Sequence, residues 1–123
     1  MVTLIAEVGQ NHTGDMGLAR QLIRLAKENG ADLVKFQLYD HNVLYKDQDI
    51  PNVELSFEQA KMLFDYGTEL GIEVFFSVFD VERVKWVQRI GAKYIKIAYS
   101  QNNNIPLLEC AQQTGKEIII SGD

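Results

Sequence analysis

Apolar residues fall into short runs separated by longer amphipathic segments, and the pattern recurs along the chain. Four times a helix-like segment closes on a glycine and a strand-like run follows within one to three residues. The joints are Asn29-Gly30-Ala31-Asp32 before 33–38, Leu70-Gly71-Ile72-Glu73 before 74–79, Ile90-Gly91-Ala92-Lys93 before 94–98, and Thr114-Gly115-Lys116-Glu117 before 118–121. Glycine suits the left-handed position that ends a helix, and a strand starting just after it is the joint of an α/β protein. A further apolar run, 2–8, opens the chain.

The segments between carry helix signals. The first starts at Asp15 and places Leu18, Leu22, Leu25 and Ala26 on one face. The second opens with Ser56-Phe-Glu-Gln59, a capping-box pattern, and continues through Ala60, Leu63, Phe64 and Leu70. The third is capped by Asp80 with Val84, Val87 and Ile90 inward, and the fourth begins near Asn104-Ile105-Pro106. Five strands alternating with four helices predict a parallel sheet with right-handed crossovers. That pattern fits a doubly wound sheet and a (β/α)8 barrel equally. The one long connection, 39–55, reads as a mobile flap at the C-terminal edge of the sheet.

Strand alternation then sorts the polar residues. Lys35 and Gln37 share a face of 33–38, Lys96 lies opposite Ile95 and Ile97, and Glu7 shares a face with Ile5 and Gly9. Ser77 follows Phe75 and Ser121 follows Ile119. All fall towards the C-terminal ends of their strands, where parallel α/β proteins bind ligands. A lysine in a buried strand is costly unless paired. Two lysines and a carboxylate at equivalent depth read either as a mouth that grips a small anion or as a structural ion pair plugging the sheet.

The remaining features are weaker. Gly9-Gln10-Asn11-His12-Thr13-Gly14 has neither the dinucleotide nor the P-loop glycine spacing, although Asn11 and His12 sit at the binding edge. His12 reads equally as a ligand or as a residue bonding a loop carbonyl, and His41 as solvated. The two histidines lack spaced partners for a metal. Cys110 reads as a small core residue, and Trp86 and Met62 as helix-face residues.

Composition narrows the classes. At 123 residues the chain forms one domain, 1–123, and 12 Lys+Arg against 17 Asp+Glu give a formal charge of −5. A net-acidic chain without a basic run is a poor partner for nucleic acid or an anionic membrane. One cysteine excludes an internal disulfide. With no basic n-region and no long apolar stretch, neither signal peptide nor transmembrane helix is expected, and the chain reads as cytoplasmic.

Together these segments resemble the N-acetylneuraminate (sialic acid) synthase family, which includes legionaminate and pseudaminate synthases. Ile5-Ala-Glu-Val-Gly-Gln-Asn-His-Thr-Gly14 is similar to the family's "IAEIG-x-NH-x-G", and Gly30-Ala-Asp-Leu-Val-Lys-Phe-Gln37 to its "GADAVKFQ". Phe75-Phe-Ser-Val-Phe-Asp80 resembles "F-x-STPFD"; Lys96-Ile-Ala98 and Asn104-Ile-Pro-Leu-Leu108 resemble "KIAS-G-E-x-x-NIPLL". The resemblance implies the first five strands and four helices of a TIM-type barrel. It implies condensation of phosphoenolpyruvate with an N-acylated hexosamine, such as N-acetylmannosamine, to a nine-carbon 2-keto acid. A divalent metal, manganese or magnesium, and homodimers go with it, the metal ligands lying outside this chain. Carried over by position, Lys35 and Lys96 would hold phosphoenolpyruvate, with Glu7 and Gln37 at the same mouth and Ser77 beside it. Asn11, Ser100 and Gln101 complete the expected substrate contacts.

The departures lie on the same edge. The segment at Ser77 is one residue shorter than the family's and its threonine has no counterpart. Tyr99-Ser100-Gln101 stands for Ser-Gly-Glu, and Ser121-Gly122-Asp123 for the start of "STGM". A (β/α)8 barrel takes about 250 residues, so the chain is expected to need a second half-barrel or further copies and to turn over little alone. The alternative is a non-catalytic anion-binding or assembly half-barrel that has lost the metal site.

Overall fold

The computed structural model describes residues 3–120. Five strands, β1 (Ile5–Gly9), β2 (Leu33–Leu38), β3 (Glu73–Val78), β4 (Tyr94–Ile97) and β5 (Glu117–Ile120), form one parallel sheet in the order β1-β2-β3-β4-β5. The crossovers carry α1 (Met16–Glu28), α3 (Phe57–Leu70), α4 (Val81–Ile90) and α5 (Ile105–Gln113). Strictly sequential order has no switch point, which separates it from the doubly wound alternative. It is the order of a barrel wall.

Curvature supports the same assignment. In a flat sheet β1 and β4 would lie three spacings apart, about 14 Å. Here Lys96 on β4 reaches Glu7 on β1, Nζ to Oε1 at 3.4 Å. The sheet therefore curls towards the face opposite its helices. Its helix-facing side holds the core: Val34, Phe36, Leu38, Val74, Phe76, Val78, Ile95 and Ile97 pack against Ala19, Ile23, Ala60, Leu63, Val84, Val87, Leu107 and Ala111.

The helix starts follow their predicted chemistry. Asp15, Ser56, Asp80 and Asn104 each accept a backbone N–H of the first turn, and Ser56 with Gln59 completes the capping box. Gly71 and Gly91 close α3 and α4 at φ 81° and 90°.

Several expectations change. β1 is described as a strand only from Ile5, although the Leu4 carbonyl still accepts from Asp32 and Leu33. β3 and β5 each begin one residue earlier than expected. Ser121, Gly122 and Asp123 lie outside the described residues. The buried stripe of α1 centres on Ala19 and Ile23, and Leu25 is left 44% exposed. The buried stripe runs one position round from the leucines, through Ala19 and Ile23.

The connection 39–55 is not an unstructured flap. It holds a helical turn, α2 (His41–Leu44), capped by Asp40. Buried Tyr39 and Leu55 pin its two ends, and the His41 N–H donates to Glu54 across it.

Candidate active site at the sheet mouth

The inner face carries the polar residues in two register levels. Glu7 pairs across to Lys35 and Lys35 to Phe75; one step nearer the C-terminal edge, Gln37 aligns with Ser77 and Ser77 with Lys96. The two lysines are thus not at equivalent depth, as alternation alone implied. Lys96 lies one step higher, and its long side chain makes up the difference. At the level of Lys35, Phe75 meets Tyr94 edge to face with centroids 6.0 Å apart.

Both lysines converge on one carboxylate. Lys35 Nζ lies 3.1 Å from Glu7 Oε2 and Lys96 Nζ 3.4 Å from Oε1. The Lys35 side chain is 7% exposed and that of Glu7 54%, so the cations sit in the wall and the acid faces the mouth. Burial works against ionising Glu7. The hydrogen bond from Lys35 and the charges of both lysines outweigh it and hold the carboxyl below its ordinary range. The site is a pair of cations whose one counterion among the described residues is accessible from solvent.

Ser77 adds a buried hydroxyl, 2% exposed, whose Oγ has no hydrogen-bond partner among the described residues. Gln37 is held differently. The Gln10 Nε2 donates both to Gln37 Oε1 at 2.9 Å and to the Tyr45 hydroxyl at 2.7 Å. Gln10 and Tyr45 took no role from the sequence because both lie in connections, where no periodicity assigns a face. A β-bulge at Gly9, φ 57°, breaks the register after Glu7 and brings the following residue over β2.

The other expected residues fall elsewhere. Asn11 is exposed in a groove along the free side of β1 with Ala6, Glu7, Leu22 and Ala26. Ser100 and Gln101 form a single 3-10 turn, Tyr99–Gln101, after β4. Ser100 is exposed there, and the Gln101 Oε1 accepts from Asn104 beside a separate rim groove shared with Asp40, Val43 and Phe79. None of these three is among the side chains bonded to the lysine cluster.

The histidines also resolve. His12 is buried, its Nδ1 accepts from the Gly14 N–H at 3.0 Å, and its ring tilts against Phe36. It therefore braces the loop, one of its two expected roles, through an amide N–H in place of a carbonyl. Burial lowers its pKa and favours the neutral ring. His41 is only partly solvated: its Nδ1 is buried without a partner among the described residues, and the ring packs 5.5 Å from Tyr45. Cys110 and Trp86 are partly buried against the core, and Met62 is exposed on α3.

Among the described residues no three His, Cys, Asp or Glu side chains converge to hold a metal. The described residues therefore do not by themselves build a divalent-metal site. No helix among them is long and apolar enough to cross a membrane.

A family model described as the NeuB family matches residues 22–122. The chain belongs to the NeuB family. Its sequence is 34% identical to the N,N'-diacetyllegionaminic acid synthase of Legionella pneumophila, over 97% of this chain and 39% of that protein. It is 31% identical to the N-acetylneuraminate-9-phosphate synthase of Mus musculus, over 96% of this chain and 38% of that protein. A crystal structure of N-acetylneuraminic acid (sialic acid) synthetase from Leptospira borgpetersenii superposes with a TM-score of 0.92 at 31% identity, covering 97% of this chain and 44% of that one. A truncated 3-deoxy-D-arabino-heptulosonate 7-phosphate synthase from Thermotoga maritima, at 16% identity and TM-score 0.73, shares the fold. The chain spans about two fifths of the curated relatives it matches. These matches agree with a NeuB-family partial barrel and do not favour the alternative of a non-catalytic module.

Proposed function

We propose that the mouth formed by Lys35, Lys96 and Glu7 is the phosphoenolpyruvate site of a sialic-acid-synthase-type enzyme. The observation that carries this reading is the convergence of two wall lysines, from β2 and β4, on the two oxygens of one solvent-facing carboxylate. An entering phosphate or carboxylate can take the place of that acid between the same two cations. Ser77, with its free buried hydroxyl at the level of Lys96, supplies a further donor.

In the condensation, the phosphoenolpyruvate methylene carbon bonds to the aldehyde carbon of an N-acylated hexosamine. Water adds at the adjoining carbon, and C–O cleavage releases phosphate with its bonding electrons. Fixed cations oppose the charge that gathers on the departing phosphate without reorganising. The same reading carries further proposals. The outer sides of β1 and β5 are covered by further β/α units or by another copy of the chain. A divalent metal is held by residues outside those described. The protein works in the cytoplasm as a homo-oligomer.

The experiment is calorimetric titration with phosphoenolpyruvate. Lys35→Met and Lys96→Met, which keep the apolar stems, are each expected to weaken binding about tenfold or more. His41→Ala is expected to leave it unchanged. Equal affinity in all three variants would remove the mouth as the anion site.

A further inference from the structure

The network around Gln10 has a chemical direction. A carboxamide nitrogen only donates, and the Gln10 nitrogen spends its hydrogens on the Gln37 oxygen and the Tyr45 hydroxyl. The Gln37 oxygen is thereby turned towards Gln10, and its own NH2 is turned away. The Tyr45 hydroxyl, accepting from Gln10, keeps its hydrogen to give. Neither donor has another hydrogen-bond partner among the described residues, and the Gln10 oxygen likewise has none, so it remains an acceptor.

The surroundings hold this arrangement in place. Gly9 is required by its backbone, whose φ of 57° side chains rarely adopt, and it stands in ordinary contact range of the Gln37 amide, an added Cβ lying 3.8 Å from Cδ and Nε2. The Tyr45 ring is wedged edge-on against buried Tyr39, centroids 5.7 Å apart, and against His41. The hydroxyl therefore comes from a packed ring. Gln37 aligns in register with Ser77, next to Lys96, so the donors border the proposed anion site.

We propose that Gln10 is a positioning residue that fixes the facing of the Gln37 amide and, with Tyr45, makes this side of the mouth a reader of the sugar's acylamino group. The inference rests on the proposed function and names a feature within it. An acyl carbonyl oxygen accepts two hydrogen bonds, matching the two free donors, and the acylamino N–H matches the free Gln10 oxygen. A plain hydroxyl offers one oxygen in place of that three-point pattern.

The test uses the full chain, with inorganic phosphate, N-acetylmannosamine and mannose as probes in calorimetry or by NMR titration. Wild type is expected to favour N-acetylmannosamine over mannose about fivefold or more. Gln10→Met and Tyr45→Phe are expected to erase the preference while phosphate affinity stays within about twofold, a split that a merely structural role would not give. Gln10→Glu is the polarity test: a carboxylate of the same length only accepts, turns Gln37 the other way, and erases the preference too. A preference that survives in Gln10→Glu would mean the network runs in the opposite sense, and the inference fails. Parallel loss of sugar and phosphate binding in Gln10→Met would reduce Gln10 to packing and overturn it equally. Phosphate binding without any sugar preference in wild type overturns the inference and leaves the anion reading standing. Binding of neither probe removes the anion reading and this inference with it.

Discussion

Glu7 occupies the place that a ligand's anion would take, so its removal should help binding while it harms the empty protein. Glu7→Gln is expected to tighten phosphate binding several-fold, because a negative charge no longer competes for Lys35 and Lys96. Calorimetry at constant ionic strength would show it; weaker binding in Glu7→Gln would mean that Glu7 helps to build the site. Two neighbouring residues shape stability against pH. His12 resists protonation when folded, so its contribution is present above its ordinary value of 6.5 and lost as pH falls below it. Tyr39 is the mirror case. Burial, then the nearby Tyr45 and Glu54, push its phenol up to about 12, so stability falls as pH rises from 10 towards 12. Tyr39→Phe is expected to flatten that alkaline limb in thermal melts. It should cost little at neutral pH, since the buried hydroxyl makes no well-formed hydrogen bond among the described residues, the Val53 backbone being a weak polar contact. An unchanged alkaline limb would refute this assignment. At this scale the sequence was informative where alternation applied: Lys35, Gln37, Ser77 and Lys96 took their faces from period two. The placements of Gln10, Tyr45 and His41 were not legible, because a loop residue's direction is set by packing that arises only once the sheet has formed.

The elements were legible where local chemistry decides them. Side-chain caps at Asp15, Ser56, Asp80 and Asn104 act within one turn, so their helices began where the residues said. The inward face of α1 was misjudged by about one position, Ala19 and Ile23 being the fully buried residues, because no periodicity within the helix records how the sheet lies against it. Gly67 makes the same point in α3. A Cβ there would collide with Val74 Cγ2 and stand 3.0 Å from the Ile72 carbonyl oxygen. Gly67→Ala is therefore expected to destabilise by about 1–3 kcal/mol through overpacking, against a gain of about 1 kcal/mol in helix propensity. Urea unfolding measures the balance; a more stable Gly67→Ala protein would show that α3 can lift away from β3 at little cost. The connection 39–55 illustrates what length alone misses. Its turn α2 and the Tyr39–Tyr45–His41 cluster fold it against the sheet, so it can lend Tyr45 to the mouth.

At the scale of the whole molecule, the sheet's curl makes the site. Lys35 and Lys96 lie two strands and one register step apart, and only curvature brings both to the same carboxylate. The alternating elements left barrel and doubly wound sheet undecided; sequential strand order and the β1-to-β4 ion pair decide between them. Curvature and register are properties of the assembled sheet, carried by no single residue, so alternation could put both lysines at one edge but could not give their relative depth. Among the described residues β1 and β5 each pair on one side only, so the wall is open at both ends. The measurement that tests the central claim most directly is a double-mutant cycle on phosphoenolpyruvate affinity with Lys35→Met and Lys96→Met. One curled mouth gripping one anion predicts that the two losses are coupled, with the double variant departing from their sum by more than about 0.5 kcal/mol. Losses that add within that margin would mean that the lysines serve separate places, and would contradict the account.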